Sequence, residues 1–311
     1  MSVNSQARRV LTALAVLFGG TMSGTQSMSE TMRPDTAIRY RSAVADDRFN
    51  TRLEIQRDGQ AVLEVGSNRL TPAEPVGRFE GRIAPPLLTQ LRQAGSDPAF
   101  TAAPSQPAVM PEEAHRLIEM PGPGGKAVLK VVGESLIPPP AFLSVETLME
   151  AAIRDLHRSP IVAARVEIVA PPQQAKQNDP ISLTLAVINE GPAVLRLDAP
   201  SRWGQIGTAA DLAARRSDLP IAVMTMDHQR FVRLDGTRLR GSTPTVTGSE
   251  ALIPPGGRLL VTFEYGLDWQ PGAWRVEVEL ALTVYAKDGA PLFQGGAVTP
   301  PVILNVLPPA R

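Results

Sequence analysis

Alternating apolar and polar residues run through most of the chain, and a helical spacing replaces the alternation in few places. Ala37–Arg41 and Arg52–Gln56 carry the period of two that half-buried strands show. Arg57-Asp58-Gly59-Gln60 is a turn signal, and Ala61–Val65 resumes the alternation, so a hairpin is expected. A further strand is expected at Arg78–Ile83. Pro85-Pro86 then opens a short helix through Leu87, Leu88 and Leu91, closed by Gly95. Proline near the first turn and glycine just past the last one suit helix ends. Residues 96–112, rich in Pro, Ala and Ser, are expected as a loop. Arg116–Met120 and Ala127–Val132 flank Pro121-Gly-Pro-Gly-Gly125 and read as two strands around a turn. A second helix is expected from a Ser144 cap. It buries Val145, Leu148, Met149, Ala152, Ile153 and Leu156 and turns Glu146, Glu150, Arg154 and Asp155 to water. Strands with two helices predict a small α+β domain over residues 36–160, an antiparallel sheet with helices on one face.

From Val166 onward the strand period dominates. Ile181, Leu183, Leu185 and Val187 alternate with Ser182, Thr184, Ala186 and Ile188, and Asn189-Glu-Gly-Pro192 turns the chain into Val194–Leu197. Leu259–Tyr265 follows Pro254-Pro-Gly-Gly257. Trp274, Val276, Val278, Leu280, Leu282 and Val284 form one long alternating series, with Arg275, Glu277 and Glu279 outward. Lys287–Ala290 is a hairpin turn, and Pro301–Val306 is the last strand. Short strands with regular turn signals predict an all-β immunoglobulin-like sandwich over residues 161–311. An insertion at about 198–250 interrupts it, with a short helix expected at Thr208–Ser217. A hairpin of Ile221–Met226 with Arg230–Leu234 is expected to turn at Asp227-His228-Gln229. Long loops between scaffold strands are where binding residues tend to sit.

Two resemblances rest on these segments. Ile181–Gly191, Leu252–Gly257 and Pro271-Gly-Ala-Trp-Arg-Val-Glu-Val278 resemble the Ig-like bacterial domains that include the intracellular proteinase inhibitor family of bacilli. The element order of residues 37–157, with the hairpin Leu53–Gly59, loosely resembles emfourin-like modules. The first implies a fold and is nearly silent on function. Both together imply protease inhibition as an alternative role.

Composition narrows the picture. The 31 Lys and Arg balance the 31 Asp and Glu, which gives no electrostatic reason for binding nucleic acid. Arg215, Arg216, Arg230, Arg233, Arg238 and Arg240 are interleaved with Asp211, Asp218, Asp227 and Asp235, a solvated mixed-charge surface. The chain has no cysteine, which excludes disulfides, cysteine-based metal sites and cysteine nucleophiles. Arg8-Arg9 precede the apolar run Val10–Phe18 and a small-residue stretch, the pattern of a secretory signal peptide. That run is short of the about 20 residues a membrane span needs. Residues 1–30 are therefore expected as a signal and flexible start, cleaved or kept as an anchor, and the remainder as extracytoplasmic, periplasmic or secreted.

Candidate chemistry is sparse. His115, His157 and His228 lie in different elements without metal-ligand spacing, and no cofactor or metal site is expected. Asp227-His228 is the one adjacent carboxylate–imidazole pair. Trp274 is assigned to the core, and Trp203 and Trp269 to an exposed aromatic patch. Trp203, Asp227, His228 and Trp269 are thus the candidate binding residues, with no catalytic residue assigned. The reading is an exported, non-enzymatic binding or structural protein of the cell envelope that binds another protein through its Ig-like domain. The alternatives are a protease inhibitor and a hydrolase with an unrecognised site.

Overall fold

A computed structural model describes residues 36–43, 50–106, 113–133, 136–205, 207–220, 224–243, 246 and 248–309. The expected signal and residues 221–223 of the expected hairpin lie outside the described residues. The chain divides into two compact units, Met1–Glu64 with Glu80–Ser159, and Val65–Phe79 with Pro160–Arg311.

In the first half the strands are β1 (Thr36–Ala43), β2 (Thr51–Gln56), β3 (Gln60–Val65), β4 (Val76–Arg82), β5 (His115–Pro121) and β6 (Ala127–Gly133). The helices are α1 (Pro85–Gly95), α2 (Pro98–Ala102) and α3 (Pro140–Leu156). In the first unit the strands lie in the order β3-β2-β1-β5-β6. Their inward residues Ile38, Leu53, Ile55, Leu63 and Ile118 are buried, as are Leu91, Phe142, Val145 and Met149 of the helices. The expected hairpin forms, with the Gly59 N–H bonded to the Gln56 carbonyl (3.0 Å) and Asp58 Oδ1 accepting from Gln60 N–H (2.9 Å).

Three local expectations are corrected. The segment 96–112, expected as a loop, contains α2, capped by Asp97 Oδ1 on the Ala99 N–H. The Lys130 ammonium on β6 ties down the end of α2 by donating to the Thr101 (2.7 Å) and Ala103 (2.6 Å) carbonyls. Ser144 is no cap. Pro139 precedes a helix that starts at Pro140, where the fixed φ of proline suits the first turn, so Ser144 sits a turn inside and its hydroxyl donates to the Pro140 carbonyl (3.0 Å). Glu146, expected in water, is buried with Phe142, Val145 and Met149, because it shares their face by its spacing of three and four and meets polar partners from the sheet there. Its Oε2 accepts from Arg116 Nη1 (2.6 Å) and its Oε1 from the Tyr40 hydroxyl (3.2 Å). Burial first, and the Glu146 charge second, push the Tyr40 phenol above its ordinary range.

The second unit contains β7 (Pro160–Val169), β8 (Gln174–Lys176), β9 (Pro180–Asn189), β10 (Leu195–Asp198), β11 (Ala209–Arg216) and β12 (Gln229–Leu234). It continues with β13 (Leu239–Thr243), β14 (Glu250–Ile253), β15 (Arg258–Gly266), β16 (Gly272–Tyr285), β17 (Pro291–Val298) and β18 (Val302–Leu307). One layer runs β13-β15-β9-β7-β4, and the other runs β12-β11-β16-β18-β8, with β17 on the far half of β16. Every second residue of β7, β9, β15, β11 and β16 enters one continuous apolar core, which makes this unit a β-sandwich. The short pair β10-β14 adds Leu195, Leu197, Ala251 and Ile253 to that core.

The expected fold class, an α+β domain followed by an all-β immunoglobulin-like sandwich, is therefore corrected. Strands predominate in both halves, and the two units are not consecutive in sequence. The cause is Val65–Phe79, a stretch without clear periodicity. Its Asn68 amide accepts from Val298 N–H (2.7 Å) and donates to the Glu74 carbonyl (2.7 Å), while Ser67 bridges to Gly296. Arg69 pairs with Glu279. The stretch then enters β4, whose Val76–Phe79 pair with β7. Gly77, at φ +157°, lies against the Val162 carbonyl so closely that any Cβ would collide with it.

Residues 198–250, expected as an insertion, supply β11, β12 and β13 to the two sheets. Thr208–Ser217, expected as a helix, is mostly β11. Its alanines favour a helix in isolation, but Ala210, Leu212 and Ala214 are buried at every second position between β12 and β16. No helix among the described residues is long and apolar enough to cross a membrane.

Candidate functional site

The inward series of β11, β12 and β16 is apolar along most of its length and becomes cationic at one end of the sandwich. On β11, Ala210, Leu212 and Ala214 are followed at the same parity by Arg216; on β12, Leu234 and Val232 are preceded by Arg230. In the register Arg216 faces Trp274 of β16 and Arg230 faces Ala214. Both guanidiniums thereby reach the Trp274 ring, at 5.9 Å and 5.8 Å from its centroid. Gly272, at φ +143°, leaves the room that the Arg216 guanidinium occupies.

Each arginine is held differently. Arg216 makes a bidentate bond to Asp218, Nε to Oδ1 and Nη2 to Oδ2, both 2.7 Å. That hydrogen bonding holds the Asp218 carboxyl below the usual carboxylate range and raises Arg216. Arg230 has no carboxylate partner among the described residues: its Nη1 donates to the carbonyls of Asp227 (2.9 Å) and Gln229 (2.8 Å). The Asp227 carbonyl belongs to the tight turn Met226–His228, so Arg230 ties that turn to the Trp274 ring. Met226 and Asp227 on the turn are exposed.

His228 closes the turn as part of a capping box, its Nδ1 accepting from the Thr225 N–H (3.1 Å). The Thr225 hydroxyl lies 3.2 Å from the same nitrogen. A backbone donor on Nδ1 engages the lone pair that would take a proton from that hydroxyl, so the arrangement stabilises the turn rather than activating a nucleophile.

Trp269 is buried against Trp274 (centroids 5.1 Å) and Tyr265 (6.0 Å). Its Nε1 and the Tyr265 hydroxyl have no hydrogen-bond partner among the described residues, and burial raises the Tyr265 phenol above its ordinary range. Trp203 is buried elsewhere in the core, 5.9 Å from Phe263, with its Nε1 donating to the Asp198 carbonyl (2.9 Å). The exposed aromatic patch expected from Trp203 and Trp269 is thus corrected: both indoles are at 0% exposure, because their rings fill the space between the two sheets. The structure brings Asp227, His228 and Trp269 to one end of the sandwich and leaves Trp203 apart. Arg216 and Arg230 were missed as members of that end. Their parity with the apolar positions is the available signal, and reading β11 as a helix hides it.

No family model matches the chain, and no curated protein matches it. Solved structures share a slight likeness with about half of it. The CARDB domain of a Pyrococcus furiosus protein, solved in complex with di-metal ions, is 14% identical. That match covers 47% of this chain and 90% of the other, with a TM-score of 0.23. A sporulation control protein from Bacillus subtilis is 14% identical over 48% of this chain and 50% of the other, at 0.25. A β-glucosidase from Erythrobacter marinus is 11% identical over 47% and 16%, at 0.23. Likenesses this slight leave the fold resting on the strand pairing and core described above, and neither the emfourin nor the proteinase-inhibitor resemblance is met by a family match. Among the described residues, no group of three or more His, Asp or Glu is placed to hold a metal ion.

Proposed function

We propose that this chain is an exported, non-enzymatic binding protein of the cell envelope. Its β-sandwich engages another protein through the end formed by Arg216, Arg230 and the Met226–His228 turn. The observation that supports this reading is the pair of guanidiniums packed on Trp274, one of them fixing an exposed turn. Arginine, methionine and aromatic residues are enriched where proteins meet, and a rigid support lowers the entropy lost on binding. Met226, 62% exposed, supplies an apolar contact at the rim.

Site-specific photocrosslinking tests it. A photoreactive residue at position 226 is expected to trap a defined envelope protein, and the trap is expected to be lost in Asp227→Ala/Arg230→Ala with the melting temperature kept. A control probe replaces Ile137, which is 89% exposed in the other unit. Equal trapping from position 137, or no response to the double variant, removes the reading. Fractionation of chains with and without residues 1–30 tests export separately.

A further inference from the structure

We propose that a concavity of the first unit, at the ends of β1, β5 and β6, binds a carboxylate carried on a small apolar body. The site is separate from the sandwich end and its case does not depend on that reading. Its volume is 140 Å³, and its lining includes Arg39, Arg57, Glu119, Met120, Gly125 and Ala127. A single water needs only about 15 Å³ of such space, so there is room for a carboxylate and a short side chain.

Two strands and two turns build it. Arg39 on β1 alternates with the buried Ile38 and Tyr40, which puts it on the opposite face of the sheet, directly across from Glu119 of β5. Their closest approach is 3.6 Å, too long for a hydrogen bond, and both side chains are partly exposed, so the pair is weak. Arg57 enters from the β2–β3 turn, and its guanidinium has no ion-pair or hydrogen-bond partner among the described residues. The neighbouring acid, Asp58, is 3.4 Å from Arg82. The Arg57 carbonyl accepts from the Arg92 guanidinium at the end of α1, which brings in a third cation. Lys126 follows Gly125 on the rim and is exposed.

Arg39 and Arg57 line the concavity with Glu119, Arg92 and Lys126 stand beside it, Glu54 of β2 pairs across from Arg39, and Asp58 follows Arg57. A planar guanidinium fork matches a carboxylate in two parallel bonds, and Arg57 is free to offer one. Ala37, Met120, Pro121 and Ala127 contribute apolar lining, suited to a short hydrocarbon body rather than a sugar or a polyphosphate. Gly124 (φ +67°) and Gly125 (φ +77°) have nothing within 4 Å of an added Cβ, so the rim is open on that side.

Two sources carry this chemistry, the C-terminal end of a peptide and a free short-chain acid. NMR titration of the full chain with acetyl-Ala-Ala as the free acid, the same peptide as its C-terminal amide, and propionate separates them. Saturable binding by an acid is expected, weakened about tenfold in Arg57→Ala and in Arg39→Ala at an unchanged melting temperature, with the amide at least about tenfold weaker than the acid. Tighter binding of the dipeptide than of propionate assigns a peptide end, and equal binding assigns a free small acid. Arg57 lies on an exposed turn, so its variant remains informative where loss of Arg39 disturbs the sheet. No saturable binding by either acid, equal binding of acid and amide, or no effect of Arg57→Ala overturns the proposal.

Discussion

Three tryptophans illustrate how a single atom's partner decides what a residue does here. Trp203, Trp269 and Trp274 are all buried, but Trp203 donates to the Asp198 carbonyl and Trp274 to the Gln270 carbonyl, while Trp269 has no acceptor among the described residues. Replacing an indole by a phenyl removes similar volume in each case. In Trp203→Phe it also strands a buried carbonyl, at a cost of about 1–2 kcal/mol. Trp203→Phe is therefore expected to lower the unfolding free energy read from urea denaturation more than Trp269→Phe, by that increment, and so to have the lower midpoint. Equal midpoints would show that the Asp198 bond contributes nothing net. Residue identity was enough to mark Trp274 as core, because it opens an alternating series. It misled for Trp203 and Trp269, whose flanking Gly and Asp residues describe the local turns and not the space the rings fill.

Among the elements, α3 shows both the reach and the limit of periodicity. The apolar spacing located the helix, and Val145, Met149, Ala152 and Leu156 are buried as expected. What the spacing missed is that a charged residue shares their face. Glu146 is stabilised there because Arg116 and Tyr40 come from strands 30 and 106 residues away in sequence. Glu146→Ala leaves the Arg116 guanidinium without its partner and is expected to cost about 3 kcal/mol in chemical denaturation. The exposed Glu150→Ala on the same helix is expected within about 0.5 kcal/mol of the parent. A similar small loss in both would mean that Arg116 finds compensation in water. The same limit explains β11, where helix-favouring alanines form a strand because two neighbouring strands bury every second one.

For the molecule as a whole, the decisive segment is Val65–Phe79. It reaches the β17 edge of one sheet through Ser67 and Asn68 and extends the other sheet through β4. A fragment of residues 161–311, the sandwich as bounded by the sequence pattern, lacks it. That fragment would expose the β7 edge and open the core position of Val76. It is expected to bind hydrophobic dye and to lack cooperative unfolding, and the full chain is expected to unfold cooperatively in this unit. Cooperative melting of the isolated fragment with native-like amide protection would show that Val65–Phe79 is dispensable.

By itself the sequence determined the elements whose pattern is local: the β2–β3 hairpin, α1, the strands β9, β15 and β16, and the balance of charge. Periodicity, turn chemistry and composition act over a few residues, so they can be read there. Only the tertiary structure decided which strands share a sheet, that residues 198–250 are built into the sandwich, that Val65–Phe79 belongs with residues 160–311, and that Arg216 and Arg230 meet over Trp274. Those outcomes depend on contacts between segments far apart in the chain, where burial overrides local propensity; the parity of Arg216 and Arg230 with their apolar neighbours marks the face each shares, and not that they meet.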